Sequence, residues 1–378
     1  MSLVVFPFKE EDPDVAKANV WIAARHTRVT EVLCVGSGRD DAYRAIAEAA
    51  PEIRRDTGTP VRLILQERRG SLRPGKGDAM NTGLAWFLDN SEDERIHFYD
   101  ADITTFSGDW ITKAEDAADR GFPVVRHYFP RASTDAMITW FITRTGFALL
   151  WPDTELARIA QPLGGELLFT RPVAEQLVAD ESVQAQSDWG IDTRYTLATV
   201  AARHATAEVY IAQGKLHKLY GSLTDIKDMA IECFAALHSQ RNVTVPSGTG
   251  HDIEPATDVS QEVREKLAYS VGDTVGLLRE GWTDRQVDLL NMFPHDLRRG
   301  LSASRDYPRL GFLDADVWRE TYYVFLQHGD FKNRDWRELF FRAWVARVLS
   351  YTVTEAVRGY DAAMTYLQRM IESYENTA

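Results

Sequence analysis

Ile96-His97-Phe98-Tyr99-Asp100-Ala101-Asp102 decides how this chain is read. An apolar-rich run ends on two carboxylates one residue apart, the pattern of a short strand that delivers Asp-x-Asp to a sheet edge. Carboxylates so placed hold a divalent cation against a diphosphate, and the cation neutralises phosphate charge as a leaving group departs. Two solvated loop acids look the same locally, so the weight rests on what surrounds them.

Working outward, Asp100 closes the fourth of several β-rich runs: Leu3–Phe8, Glu31–Val35, Val61–Gln66, Arg95–Tyr99 and, after it, Val124–Tyr128. Between them Asp14–His26, Asp40–Arg55, Gly77–Leu88 and Asp109–Asp119 carry helical patterns. Strand and helix in alternation predict an α/β fold, a mostly parallel sheet covered by helices on both faces. In such sheets ligands sit at the carboxyl ends of strands. Phe8-Lys9, Val35-Gly36-Ser37, Gln66 and Asp100–Asp102 all fall there.

Past residue 130 the pattern is mixed. Asp135–Leu150, Ser187–Ala202 and Thr224–His238 read as helices, and Glu208–Ile211 as a short strand. Gln240–Ser260, rich in Pro, Gly, Thr and Ser, predicts a linker or exposed loop, and from Gln261 the chain reads as helical. The expected division is a ligand-binding domain over 1–230 and an all-α C-terminal region over 231–378. Apolar residues of Trp336–Leu349 recur at three- and four-residue spacing, so its aromatics read as core or subunit contacts, and a homo-oligomer is expected.

With 378 residues the chain has length for two domains, and its 43 basic against 56 acidic side chains give a net charge of -13. That balance argues against nucleic-acid and anionic-membrane partners. Two cysteines, Cys34 and Cys233, exclude a disulfide scaffold and point to a reducing cytoplasm. Met1–Phe8 lacks the basic leader of a signal peptide, and no apolar run approaches a membrane span.

Four further constellations carry chemistry. Arg73-Pro74-Gly75-Lys76-Gly77-Asp78-Ala79-Met80-Asn81 sets an ammonium beside free backbone N–H groups at the start of a helix, a seat for phosphate oxygens that lacks the P-loop spacing. The chain has nine lysines, and Lys9 and Lys76 both fall on predicted ligand-facing loops. His217 follows a Gln-Gly turn, and imidazole with carboxylate suits Mn²⁺ better than Mg²⁺. Asp192, in the first turn of a helix, either faces the cleft to bind sugar hydroxyls or simply complements the helix dipole. Arg131 precedes Ser133-Thr134-Asp135-Ala136-Met137-Ile138-Thr139, where Ser133 or Thr134 reads as an N-cap and Ala136–Thr139 as a first turn with unpaired N–H groups; together they suit a carboxylate or phosphate.

Taken together, Val4–Phe8, Arg73–Asn81, Phe98–Asp102, Pro162-Leu163-Gly164-Gly165-Glu166, Trp189–Asp192 and His217 resemble the nucleotide-sugar-dependent glycosyltransferases of GT-A fold. Within them the chain is most similar to the mannosylglycerate synthases, including their helical tail. The resemblance implies a GT-A-like, Rossmann-related sheet and retaining transfer of mannose from GDP-mannose to D-glycerate with a divalent cation, Mn²⁺ or Mg²⁺. It also implies that Pro7, Phe8, Lys9, Glu10, Glu11, Val35, Gln66 and Lys76 hold the guanosine diphosphate, that Asp100 and Ala101 contact the donor, and that Asp102 with His217 ligates the cation. Arg131, Ala136, Met137, Ile138 and Thr139 would hold the glycerate carboxylate. Leu163 and Asp192 would line the donor side, and Gly165, Tyr220 and Met229 the acceptor side. Lys76, Asp100 and Asp192 are then the expected catalytic set. Nothing in the sequence marks a carboxylate as nucleophile, which favours front-face attack within an ion pair.

Two enzyme readings compete. Glucosyl- or mannosyl-3-phosphoglycerate synthases are also similar, but a phosphorylated acceptor needs more cationic groups than Arg131. A nucleotidyltransferase would open with a Gly-rich arginine loop after its first strand, and Phe8-Lys9-Glu10-Glu11 is not one. A binding protein without turnover is the non-enzymatic alternative.

Overall fold

The computed structural model describes residues 1–216, 222–279, 281–304 and 311–377. Eight strands form one sheet: β1 (Ser2–Phe8), β2 (Val29–Gly36), β3 (Val61–Leu65), β4 (Arg95–Phe98), β5 (Val124–Tyr128), β6 (Leu167–Thr170), β7 (Thr206–Tyr210) and β8 (His251–Ile253), in the order β3-β2-β1-β4-β6-β5-β7-β8. All neighbours pair in parallel except β6, which runs antiparallel to both β4 and β5.

The alternation of β1 explains the layers. Val4 and Phe6 pack with Val20, Ile46 and Trp110 on one face, while Leu3 and Val5 pack with Met80, Leu84 and Phe98 on the other. A strand buried on both faces reads as a continuous apolar run, which Ser2–Phe8 is. Two strands were not expected. Leu167–Thr170 is four residues long, and its apolar run does not separate strand from buried helix. β8 lies inside the stretch read as a linker, where three residues extend the sheet edge beside β7.

β6 joins two segments that are distant in sequence. Its antiparallel register sets Phe98 opposite Leu167, so the chain leaving β4 at Tyr99-Asp100 meets the chain entering β6 at Gly165-Glu166.

The chain divides into two compact units. The first, residues 1–130, 159–218 and 244–258, carries the whole sheet. The second, residues 131–158, 219–243 and 259–378, is helical, with long helices at Lys227–Gln240, Ala315–His328, Arg334–Thr354 and Tyr360–Glu375. Trp318 and Trp344 are fully buried and Trp336 nearly so, which makes the tail's aromatics core of this unit. Cys34 and Cys233 are both buried and are not joined in a disulfide. Among the described residues no helix is long and apolar enough to cross a membrane.

Candidate active site

The site in the first unit is built at strand ends. β1 delivers Pro7 and Phe8, and Glu10 follows with φ 55°, a left-handed turn closed by its N–H donating to Asp40 Oδ2 at 2.8 Å. Asp12 caps the helix Pro13–Ala24 and Asp40 caps Asp41–Thr57, so these two acids serve helix ends. Lys9 and Glu10 are left exposed and Glu11 half-buried. Val35 is buried in β2, and the Gln66 N–H donates to Gly36 O at 2.8 Å, which seats Gln66 at the same edge.

The Gly-Lys-Gly loop is held by its neighbour in sequence. Asp78 is fully buried, and its carboxylate accepts from the Arg69 and Gly70 N–H groups, 2.9 Å each, and from Arg68 at 2.6 Å. Gly77 is obligatory: a Cβ there would stand 2.2 Å from Gln186 O. The helix Lys76–Asn90 therefore starts at Lys76, whose side chain is 10% exposed.

Lys76 and Lys215 share three carboxylates. Lys76 Nζ lies 3.1 Å from both Asp100 Oδ1 and Asp192 Oδ2, and Lys215 Nζ lies 2.5 Å from both Asp100 Oδ2 and Glu166 Oε1. Gly165 fits against them closely: a Cβ would stand 2.4 Å from Lys76 Nζ and 2.7 Å from Asp100 Oδ1. Burial pushes the Asp100 carboxyl upward, but the two ammonium groups outweigh it and hold it well below the usual carboxylate range. In Glu166 and Asp192 burial prevails over the nearby lysines, and both carboxyls are raised. Burial alone would discharge Lys76 and Lys215; Asp100 leads the neighbouring carboxylates that hold both firmly protonated.

Thus the structure brings Lys76, Asp100, Asp192 and Gly165 together, with Ala101 buried next to Asp100 and Leu163 half-buried two residues before Gly165. Asp192, one of two open readings in the sequence, faces a lysine. Glu166 closes the Pro162–Glu166 stretch and Lys215 stands two residues before His217, yet the sequence assigned neither residue a role of its own; the signal for them was a buried-strand approach carrying a charge and one more of nine lysines. His217 and Tyr220 lie outside the described residues.

The fit to a divalent cation rests on the donor set. Asp100 and Asp102 offer carboxylate oxygens, the hard donors that Mg²⁺ and Mn²⁺ take. Two ammonium groups seated on Asp100, and buried oxygens of Asp192 (Oδ1) and Glu166 (Oε2) that meet no hydrogen-bond donor, mark a pocket suited to positive charge. Among the described residues no three His, Cys, Asp or Glu side chains stand together as a ready-made cation site.

Of the predicted acceptor residues, Gly165 belongs to the first unit, while Arg131, Ala136–Thr139 and Met229 belong to the second. Arg131 Nη1 pairs with Asp135 Oδ2 at 3.2 Å, and Ala136 sits at φ 57° before a helix that begins as a π turn over Thr139–Arg144. The expected N-cap is not found. The Thr134 hydroxyl donates to Lys266 O at 3.2 Å and accepts from the Ala268 N–H, while Ser133 O accepts from Tyr351 at 2.9 Å. Ala136 in a left-handed conformation breaks the turn that either cap would need. Trp344, Trp318 and Tyr322 donate in turn to the carbonyls of Met137, Phe141 and Ile142, so the C-terminal helices fix this segment's backbone. Met229 is half-buried on Lys227–Gln240.

Comparison with known proteins agrees with this architecture. Crystal structures of glucosyl-3-phosphoglycerate synthase from Mycobacterium tuberculosis, one with Mg²⁺ and uridine diphosphate and one with Mn²⁺, uridine diphosphate and phosphoglyceric acid, superpose with TM-score 0.51 at 20% identity, over 65% of this chain and 79–80% of theirs. They share the fold. The mannosylglycerate synthase of Rhodothermus marinus is 55% identical over 100% of this chain and 95% of its own, and that of Selaginella moellendorffii 51% identical over 98% and 89%. The GT domain of mannosylglycerate synthase matches residues 2–239, and the C-terminal domain of the same enzyme matches 263–371. The chain belongs to the mannosylglycerate synthase family of glycosyltransferases.

Proposed function

We propose that this protein transfers mannose from GDP-mannose to the hydroxyl of D-glycerate, with retention of anomeric configuration and with a divalent cation. The observation that carries the reading is the convergence of Lys76 on Asp100 and Asp192 at the carboxyl ends of parallel strands, in a chain 55% identical to a mannosylglycerate synthase along its whole length.

Departure of GDP leaves negative charge on the β-phosphate. Lys76, firmly protonated and already desolvated, is placed to meet that charge without reorganising. Asp102 and His217 would hold the cation, which when bound supplies further neutralisation of the diphosphate. Lys9, Glu10, Glu11, Val35 and Gln66 line the edge proposed for the guanosine. Asp100, pinned by two lysines, orients the donor, and Asp192 with Leu163 faces the sugar. A carboxylate held by Lys76 is a weak nucleophile, which supports front-face attack over a covalent intermediate. Arg131 and the N–H groups of 136–139 would hold the acceptor carboxylate, and Gly165, Tyr220 and Met229 are the other residues proposed for the acceptor.

The test is GDP release from GDP-mannose with Mn²⁺ or Mg²⁺ and either D-glycerate or 3-phosphoglycerate, followed by the anomeric coupling constant of the product. α-Mannosylglycerate is expected. Faster turnover of 3-phosphoglycerate, or an inverted product, overturns the reading.

A further inference from the structure

Arg126, on β5, is 1% exposed, and none of its three side-chain nitrogens meets a hydrogen-bond acceptor. A guanidinium carries five N–H donors and stays charged when buried, so leaving it unanswered forfeits its hydration with nothing in return. Something must answer it. Alternation along β5 puts Val125 against the cluster of Ala114, Ala117 and Val209, and Val124 against Ile191, Tyr195 and Ala198. Arg126 shares the face of Val124, which is the face covered by the helix Ile191–Ala201 that carries Asp192.

Two carboxylates lie within electrostatic reach, Glu208 and Asp192. Glu208 sits beside Arg126 in register on β7, but its oxygens already accept from the Ala160 and Gln161 N–H groups, at 2.9 and 3.0 Å, and contact His251 at 2.8 Å. Asp192 uses Oδ2 for Lys76, and its Oδ1 is buried without a donor. Burial lowers the guanidinium to about 10, which still leaves it charged at neutral pH.

We infer that Arg126 is a positioning residue for the active site: its guanidinium, directly or through one ordered water, answers Asp192 Oδ1 and fixes that carboxylate between itself and Lys76. The donor chemistry of one buried cation and the vacant acceptor of one buried anion match, and a water between them would have the two to four polar partners that buried waters keep. The functional consequence rests on the reading of Asp192 as a sugar-facing residue.

The experiment compares Arg126→Lys, Arg126→Met, Asp192→Asn and the double variant Arg126→Met/Asp192→Asn. The expected result is a fall in kcat of about tenfold to a hundredfold for Arg126→Met, the size that misplacing one group brings. The dissociation constant for GDP should change less than about twofold, Arg126→Lys should recover part of kcat, and the double variant should be no slower than Asp192→Asn. Wild-type kcat in Arg126→Met, or losses that multiply in the double variant, overturns the inference. Where Arg126→Met does not fold, Arg126→Gln and Arg126→Lys carry the same comparison. If the wild-type protein moves no mannose to D-glycerate, the proposed function fails while the arrangement is still decided by a high-resolution crystal structure. A contact or one-water bridge from Arg126 to Asp192 Oδ1 supports it, and Arg126 bonded to Glu208 alone refutes it.

Discussion

Lys76 Nζ donates to Asp192 Oδ2 at 3.1 Å although 116 positions separate the two residues. The lysine opens one helix and the aspartate sits in the first turn of another, so each side chain is aimed by rigid backbone. Lys76→Met removes the charge that balances Asp100 and Asp192 while keeping most of the volume. Transfer should fall about a hundredfold to a thousandfold in kcat, as when one preorganised electrostatic donor is lost. Initial-rate kinetics read this, with circular dichroism showing the fold retained.

Gly165 sets how close that lysine comes. A methyl group there would press on Lys76 Nζ, the far end of a flexible chain, and on Asp100 Oδ1. The lysine is able to swing away, so Gly165→Ala should cost little stability, about 1 kcal/mol or less, and at least about tenfold in kcat. Activity near wild type would show that the close packing at this point is dispensable. Melting temperature and kcat measured on one preparation separate the two effects.

His127 gives the protein a pH dependence of stability. It is fully buried, with its ring nitrogens 2.9 Å from Trp110 O and 3.2 Å from Glu166 O, and burial pushes its imidazole down to about 4. In the unfolded chain the same imidazole takes its proton near pH 6.5. Between these values the unfolded state binds more protons, so stability is lost as pH falls from about 6.5 to 4, by up to about 3 kcal/mol from this residue. His26, His204 and His238, lowered chiefly by burial, act in the same direction. Urea titrations from pH 7 to pH 4 should show this slope, and His127→Gln should flatten it.

Much of this site is legible in the sequence because strand ends announce themselves. Val4–Phe8, Val35 and Asp100 follow apolar runs whose period and length predict buried parallel strands, and the β5 boundaries Val124–Tyr128 need no revision. Glu166 and Lys215 are another matter. Lys215 bridges Asp100 and Glu166, and Glu166 is brought there by β6 being inserted antiparallel between β4 and β5, a pairing across roughly 70 residues that no local pattern encodes. Arg126 sits in the middle of the short strand Val-Val-Arg-His-Tyr, where a charged residue looks like a surface position. Thr134 is no cap because the backbone of Lys266 and Ala268 engages its hydroxyl, and the left-handed Ala136 breaks the turn that a Ser133 cap would need.

Removal of the divalent cation should stop transfer. The proposed ligands Asp102 and His217 are hard-to-borderline donors, and Mn²⁺ and Mg²⁺ both suit such a pair with phosphate oxygens completing the shell. Treatment with EDTA is expected to abolish GDP release, and titration of either cation to restore it. Asp102→Ala should raise the cation concentration needed for half-maximal rate by about tenfold or more. Undiminished turnover in EDTA would remove the cation from the reaction.

The C-terminal helices give the proposed acceptor segment its shape, and that role is separable from the chemistry. Tyr351, buried on the helix Arg334–Thr354, donates to Ser133 O at 2.9 Å, two residues after the proposed acceptor ligand Arg131. Tyr351→Phe keeps the ring packed and leaves Ser133 O without its donor, at a cost of about 1–2 kcal/mol. Relaxation of the segment should spread Arg131 and the strained Ala136 over more conformations. The expected signature is a several-fold rise in KM for D-glycerate with kcat and the KM for GDP-mannose nearly unchanged. A fall in kcat at saturating D-glycerate would mean instead that this hydroxyl supports the transfer step itself, which steady-state kinetics with each substrate varied in turn will decide.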